Sequence, residues 1–193
     1  MKNILFSELL FQSNFNDDDF KKKIISILEY RQNTDVNYIR SNVGGYHTKH
    51  LKDADILKTL ANWTKETLQP HLKKNCRIVI PYYWINENKK NSYNMTHIHG
   101  GFNMAAVYYL HVPEDSGRIY FQDSTKDMTF LENYFGEECR SHVEIKNHSN
   151  QLLIFPAHLT HGVTINKSDF TRITVAFNII LDDSIKETDL KKP

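Results

Sequence analysis

The first residues that could do chemistry are a closely spaced histidine pair. His97 and His99 stand in the stretch THIHGG, directly before two glycines. Side chains two positions apart on a strand point to the same face, so the spacing predicts two imidazoles side by side. Imidazole binds iron, zinc, copper and nickel, which makes the pair a candidate metal site. The other interpretation is two surface histidines on an edge strand.

A third histidine, His161, can complete such a site. It follows the apolar stretch QLLIFP and opens the stretch GVTI, which places it at the entrance of a predicted strand. Three imidazoles could then share one metal ion. The alternative is a histidine that only terminates a turn. The neighbouring His158 lies inside the connecting loop and is the weaker candidate ligand.

A strand arginine follows in the stretch TRITVAFN. Strand alternation predicts that Arg172 and Thr174 lie on the face opposite to Ile173. A guanidinium with a hydroxyl two residues further on can bind a carboxylate through several hydrogen bonds. The alternative is a structural salt bridge to Asp169 or Glu144.

The order of these motifs predicts a ligand as well as a metal. A metal ion on the three histidines and a cation one strand away, at Arg172, would hold a small dicarboxylate. One end of that molecule would chelate the metal, and its far carboxylate would meet the guanidinium.

The elements that must position these residues are mainly short strands. Beyond about residue 75, runs of β-branched and aromatic residues alternate with polar turns. The predicted strands are Arg77–Ile85, Met95–His99, Phe102–Val112, Gly117–Asp123, His142–Ile145, Gln151–Pro156, Gly162–Ile165 and Arg172–Leu181. This pattern predicts a β-sandwich or jelly roll, with a turn or short helix within residues 126–140.

The first third of the chain has a mixed pattern. Residues 4–11 predict a strand, and Asn16 with the aspartates after it predicts the start of a helix. A second helix is predicted over Asp53–Leu68 and ends before Pro70. We therefore expect one domain over residues 1–193: 1–74 pack on the core, 75–181 form the jelly roll, and 182–193 are a polar tail.

Composition excludes several classes of function. The 24 Lys and Arg residues nearly balance the 23 Asp and Glu residues, for a net charge of +1, which does not favour nucleic-acid binding. No apolar run has transmembrane length. Two cysteines, Cys76 and Cys139, cannot form a disulfide framework, which predicts a cytoplasmic protein.

Over roughly residues 76–181, these motifs together resemble the iron(II)/2-oxoglutarate-dependent dioxygenases. The resemblance is strongest to the prolyl-hydroxylase-like branch and its small phage and marine-bacterial members. Besides the histidines and Arg172, it rests on GGYH at 44–47, WIN at 84–86, AAVYYL at 105–110, GRIYF at 117–121 and LIFP at 153–156.

The resemblance implies a fold that is mainly β with flanking helices, a double-stranded β-helix. It also implies that His97 and His161 bind Fe(II), and that Arg172, with Thr174 as a helper, binds 2-oxoglutarate. His99 stands where the family has a carboxylate, so the expected metal set is three histidines. Asp123 is the candidate substitute carboxylate, although aspartate at a strand end is more often a turn residue.

The implied activity is hydroxylation of a C–H bond with O2, coupled to decarboxylation of 2-oxoglutarate to succinate, with ascorbate as an accessory reductant. The primary substrate, a protein side chain or a small metabolite, stays open. Four aromatic residues just before the histidine pair either line the substrate entrance or fill the core; they are Tyr82, Tyr83, Trp84 and Tyr93.

Two alternatives remain at this point. A cupin-like metalloprotein would use the same fold and histidine pair without 2-oxoglutarate, but it usually has a glutamate soon after the pair, and the stretch GGFNMA has none. A non-enzymatic jelly-roll binding module would need no metal.

Overall fold

The computed structural model describes residues 8–123, 134 and 141–183. In this part of the chain there are two α-helices, one 3₁₀ turn at Gln69–His71 and twelve strands. The helices are α1 (Asp18–Thr34) and α2 (Ala54–Leu68). The strands are β1 (Phe11–Asn14), β2 (Asn42–Val43), β3 (Tyr46–His47), β4 (Arg77–Val79), β5 (Tyr83–Asn88), β6 (Tyr93–His97), β7 (Met104–His111), β8 (Ile119–Gln122), β9 (His142–Ile145), β10 (Gln151–Pro156), β11 (Thr160–Val163) and β12 (Arg172–Asp182).

The strands form two antiparallel sheets. One has the order β1-β10-β7-β12-β5-β3, with β4 paired to the far end of β12, and the other has the order β2-β6-β11-β8-β9. Consecutive strands β5, β6 and β7 alternate between the sheets, as do β10, β11 and β12. This arrangement is a jelly roll, so the predicted fold class is confirmed.

The two faces of the larger sheet bury different layers of the core. On β7, Tyr108 and Leu110 belong to the layer under the helices, whereas Ala105 and Tyr109 belong to the layer between the sheets. This division follows from strand alternation, because neighbouring residues point to opposite faces. A cavity also lies between the sheets, lined by residues of both.

Both helices cover the outer face of the larger sheet. On α1, Phe20, Ile24 and Leu28 are buried at helical spacing. On α2, Trp63 stacks on Phe15 and contacts Tyr108, with ring centroids 5.0 and 4.9 Å apart. The helices therefore leave the inner face of the sheet, which carries Arg172, free of helical contacts.

Several predicted boundaries were wrong in detail. The helix start predicted at Asn16 and the aspartates after it is placed at Asp17, whose carboxylate caps α1 by accepting from the Phe20 N–H at 2.9 Å. The strand predicted over Arg77–Ile85 is two strands, because Pro81 lies between them and lacks the N–H that a ladder needs. Within the described residues the first strand begins at Phe11, where pairing with Ile154 starts, and residues 8–10 before it are not in a strand. The part of the predicted strand at 4–7 lies outside the described residues.

Some predictions fall outside the described residues: almost all of the turn or helix within 126–140 and most of the tail 182–193. The division into 1–74, 75–181 and 182–193 stays a prediction. No helix in the described part of the chain has the length and hydropathy that a membrane span requires.

Candidate metal centre

Three histidines converge between the sheets. His97 ends β6 and lies directly opposite His161 of β11, because the two residues are register partners. With His99 they form a group whose candidate ligand nitrogens all lie within 4.8 Å of one another, close enough to share one metal ion. The sequence-predicted trio is therefore brought together.

Two of the three rings are held by backbone carbonyls. The Nδ1 atom of His97 lies 2.8 Å from the Met95 oxygen, and that of His161 lies 2.8 Å from the Leu159 oxygen. A carbonyl only accepts, so each Nδ1 carries the proton and each Nε2 keeps a lone pair. This is how metal-binding histidines are usually oriented.

His99 reaches the group in a different way from the one predicted. The strand ends at His97, so His99 is not placed by strand alternation. Its backbone N–H instead donates to the Ala157 carbonyl at 2.9 Å, which ties the turn after β6 to the end of β10. The ring of His99 stacks on that of His161 at 5.1 Å.

The three imidazoles are neutral in the absence of metal. Burial lowers the pKa of His97, lowers that of His99 to about 4, and lowers that of His161 to about 3. Nearby imidazoles add to the effect at His99 and His161. Neutral imidazole is the form that binds a metal ion, so little proton loss opposes binding at neutral pH.

Arg172 is a buried cation that lines the same cavity as the three histidines. Its side chain is 3% exposed, and its Nη2 donates to the Asn88 Oδ1 at 3.1 Å. Among the described residues no carboxylate pairs with it, and its Nε has no hydrogen-bond partner. Burial lowers the pKa of Arg172 to about 10, which leaves the guanidinium charged at neutral pH.

The two salt bridges considered for Arg172 are made elsewhere. Asp169 pairs with Lys90 at 2.6 Å, and Glu144 lies 3.9 Å from Arg118. A buried cation is costly when the described part of the chain supplies no counter-ion, which points to an anionic ligand as its partner.

A glycine makes room for the guanidinium. Gly117 has a φ of +87°, and a Cβ added to it would lie 3.4 Å from the Arg172 Nη1 and 2.3 Å from the Thr164 oxygen. Glycine is therefore required by both the backbone conformation and the close approach.

The histidines and Arg172 line one cavity of about 620 Å³ between the two sheets. Thr174, Ala176 and Asn178 line it from the same face of β12 as Arg172. Tyr109 of β7 also lines it, and burial raises the pKa of this hydroxyl far above its usual range. The volume lies within the range of small-molecule sites.

Other predicted candidates are not part of the histidine group. His158 is exposed and lies 3.3 Å from Glu8. Asp123 is exposed at the end of β8, where its N–H donates to the Ser141 carbonyl at 2.8 Å.

The aromatic cluster predicted near the entrance divides between two places. Tyr82 and Trp84 line the cavity, whereas Tyr83 is fully buried in the helix-covered core and donates to Asp53 at 2.7 Å. Tyr93 is not among the cavity-lining residues. Strand alternation explains the division, because Tyr82 and Trp84 point to one face of the sheet and Tyr83 to the other.

Sequence reasoning assigned no role to several polar residues of the site. The buried Asn88 holds Arg172, and its own amide donates to Asn94 at 3.2 Å. His47 and His50 line the cavity from the segment before α2. His47 belongs to the stretch GGYH, but its distance along the chain from the other histidines did not indicate a place in the site. It reaches the cavity only because β3 pairs with β5.

Comparison with known proteins agrees with this geometry. The sequence profile of the 2OG-Fe(II) oxygenase family matches residues 82–178, about half of the chain. The chain therefore belongs to this family, and the superfamily prediction is confirmed. Its members require Fe(II), 2-oxoglutarate and O2, so the protein is a 2-oxoglutarate-dependent oxygenase. No curated protein sequence matches it.

Solved structures share the fold at low sequence identity. A prolyl-4-hydroxylase from Pseudomonas putida has a TM-score of 0.59 at 12% identity, covering 89% of this chain and 92% of its own. HygX from Streptomyces hygroscopicus, with nickel and 2-oxoglutarate bound, has a TM-score of 0.60 at 13% identity, covering 92% and 84%. A Trichoplax adhaerens prolyl hydroxylase in complex with a hypoxia inducible factor peptide has a TM-score of 0.59 at 16% identity, covering 95% and 87%.

Proposed function

We propose that His97, His99 and His161 hold the Fe(II) of this oxygenase, and that Arg172 and Thr174 bind the far carboxylate of 2-oxoglutarate. The resulting enzyme hydroxylates a C–H bond of its substrate. The bound metal supplies the activation of O2 that is coupled to decarboxylation of 2-oxoglutarate to succinate.

The observation that carries this proposal is the state of Arg172. The guanidinium is 3% exposed, lines the same cavity as the three histidines, and has a neutral amide as its only described hydrogen-bond partner. A carboxylate would form charge-assisted hydrogen bonds with it and offset its burial. The hydroxyl of Thr174, two residues along the same face, is in position to add a further donor.

The donor set fits Fe(II). Backbone carbonyls bind the Nδ1 of His97 and of His161, which leaves each Nε2 free to bind a metal, and imidazole is a suitable ligand for iron. Three facial ligands would leave open positions for the co-substrate and oxygen. Because all three ligands are neutral, the metal would keep its full charge, which favours binding of an anionic chelator.

Family membership supports this enzyme over the two alternatives, a cupin-like protein without 2-oxoglutarate and a binding module. The primary substrate is a small metabolite or a protein side chain, and the near-neutral composition does not favour a nucleic acid. A reducing cytoplasm would suit both Fe(II) and the free thiol of Cys76.

The test separates the metal site from the co-substrate site. Mn(II), a redox-inert substitute, is titrated into the protein by calorimetry, and 2-oxoglutarate is then titrated into the Mn(II)-loaded protein. We expect His161→Ala to abolish Mn(II) binding and His158→Ala, the matched control, to leave it intact. We expect Arg172→Ala to retain Mn(II) but to weaken 2-oxoglutarate binding by about a hundredfold, since a buried charge-assisted pair is lost.

Arg77→Ala is the control for a lost arginine, because Arg77 is exposed, pairs with Asp182, and is not among the cavity-lining residues. Unchanged 2-oxoglutarate binding in Arg172→Ala would contradict the assignment. Succinate release with Fe(II), O2 and ascorbate then tests turnover directly.

A further inference from the structure

The cavity continues beyond the metal centre along a wall of aromatic rings. His50 stacks on Tyr82 at 3.8 Å, His47 stacks on Trp84 at 5.8 Å, and Trp84 contacts the ring of His99 at 5.8 Å. We call these four residues, His47, His50, Tyr82 and Trp84, the aromatic wall. It runs from the metal group outward, so it is where a substrate would lie.

The aromatic wall is uncharged. Burial lowers the pKa of His47 to about 4, and burial followed by the charge of Arg40 lowers the pKa of His50. The wall therefore offers flat, apolar faces to a ligand at neutral pH.

The mouth of the cavity carries a second cation. Arg40 lines the cavity, is exposed, and lies over the ring of Tyr38 with 4.5 Å from its guanidinium carbon to the ring centre. Its side chain also donates to the Tyr38 hydroxyl. No described carboxylate pairs with Arg40, so this guanidinium is held in place by a neutral ring and stays available to an anion.

The charged residues that line the cavity are all positive in the described part of the chain. Among its described lining residues there are two arginines, Arg40 and Arg172, and no aspartate or glutamate. Fe(II) and doubly charged 2-oxoglutarate would cancel each other, because three neutral histidines contribute no negative charge. The two guanidinium charges would then give the loaded site a net positive charge. Because Arg172 would pair with the far carboxylate of 2-oxoglutarate, Arg40 would be the cation left for a substrate.

A buried amide adds a point of polar recognition. Asn178 is 4% exposed, lines the cavity from β12, and its Oδ1 has no hydrogen-bond partner. A buried amide oxygen without a partner costs free energy unless a ligand supplies a donor. The cavity thus combines flat apolar faces, a buried amide oxygen without a partner at Asn178 and an excess of positive charge.

We propose that the primary substrate is a small organic anion whose flat or apolar body lies against the aromatic wall and whose negative group pairs with Arg40. This proposal rests on the proposed function, which places the metal and 2-oxoglutarate deeper in the same cavity. A cationic substrate, such as an amine, would meet repulsion from Arg40 and from the net positive charge of the loaded site.

The experiment uses three probes that share one phenyl body: 3-phenylpropanoate, 3-phenylpropanamide and 3-phenylpropylamine. Each is dialysed to equilibrium against protein loaded with Mn(II) and saturating 2-oxoglutarate, and the retained probe and 2-oxoglutarate are both measured. We expect the anion to bind more tightly than the amide, by up to about fivefold, as an exposed ion pair allows. The amine should bind most weakly.

Two variants assign the preference to Arg40. Arg40→Gln should bring the anion to the affinity of the amide, and Arg40→Glu should reverse the order of anion and amine. Arg77→Gln, a matched exposed arginine away from the cavity lining, should leave the order unchanged. Retention of 2-oxoglutarate without any probe should be the same in all of these proteins.

Any of these results would overturn the proposal: equal affinity for the three probes, no retention of any of them, or an anion preference that survives Arg40→Gln. Displacement of 2-oxoglutarate by the anion would also overturn it, since the anion would then occupy the co-substrate site. Failure of the Mn(II)-loaded protein to retain 2-oxoglutarate alone would instead contradict the proposed function.

Discussion

Replacing Asn88 by aspartate tests how the protein keeps Arg172 available. Asn88 is 1% exposed and accepts from the Arg172 Nη2 at 3.1 Å. Its amide orients the guanidinium without neutralising it. Asn88→Asp keeps the shape of the side chain and supplies an internal carboxylate, so the variant should satisfy Arg172 in the absence of 2-oxoglutarate.

The size of the effect follows from the geometry. At 3.1 Å and an effective dielectric constant of about 20, opposite unit charges attract by about 5 kcal/mol. Desolvation of the new carboxylate offsets part of this attraction. A net attraction of about 2 kcal/mol between the new carboxylate and Arg172, which the ligand carboxylate must replace, raises the Kd for 2-oxoglutarate about thirtyfold.

Calorimetry of 2-oxoglutarate binding to the Mn(II)-loaded protein measures this change. Mn(II) binding itself should be unaltered, because Asn88 contacts none of the three histidines in the described hydrogen bonds. Urea unfolding of the ligand-free protein should show that Asn88→Asp is at least as stable as Asn88→Ala. The alanine variant removes the acceptor without adding charge and so serves as the control.

Wild-type affinity for 2-oxoglutarate in Asn88→Asp would refute the reasoning. Equal losses of affinity in the aspartate and alanine variants would do so as well, since the effect would then come from orientation of Arg172 and not from charge.

Two further predictions concern stability. Burial holds the folded-state pKa of His47 at about 4, below the value near 6.5 of the unfolded chain. The contribution of His47 to the free energy of unfolding is therefore present above pH 6.5 and is lost as pH falls. The metal-free protein should lose about 2 kcal/mol of stability from this residue between pH 7 and pH 5. Urea titrations at both pH values should show a correspondingly smaller loss in His47→Gln, and an identical loss would contradict the prediction. Gly117→Ala should destabilise the fold by about 2 kcal/mol and weaken 2-oxoglutarate binding, because its Cβ would meet the Thr164 oxygen at 2.3 Å beside Arg172. Gly101→Ala is the control, since Gly101 has a similar φ of +84° with open space around it, and equal effects of the two substitutions would show that the close contact is unimportant.

Much of the fold could be predicted because strand and helix periodicity is local information. The run 172–178 predicted its two faces, and the structure places Phe177 in the helix-covered core and Thr174 in the cavity. The two-residue strands β2 and β3 were missed, because segments so short carry no periodicity.

The same distinction holds at the site. The sequence by itself determined the kinds of group present: three imidazoles, one strand guanidinium, and the order in which they occur. Only the tertiary structure decided which of them meet. His97 faces His161 because β6 pairs with β11 in that register, and His99 joins them through a backbone hydrogen bond to Ala157 rather than through alternation. The neutral partner of Arg172, Asn88, comes from a neighbouring strand, and a pairing of that kind depends on long-range register that no local pattern records.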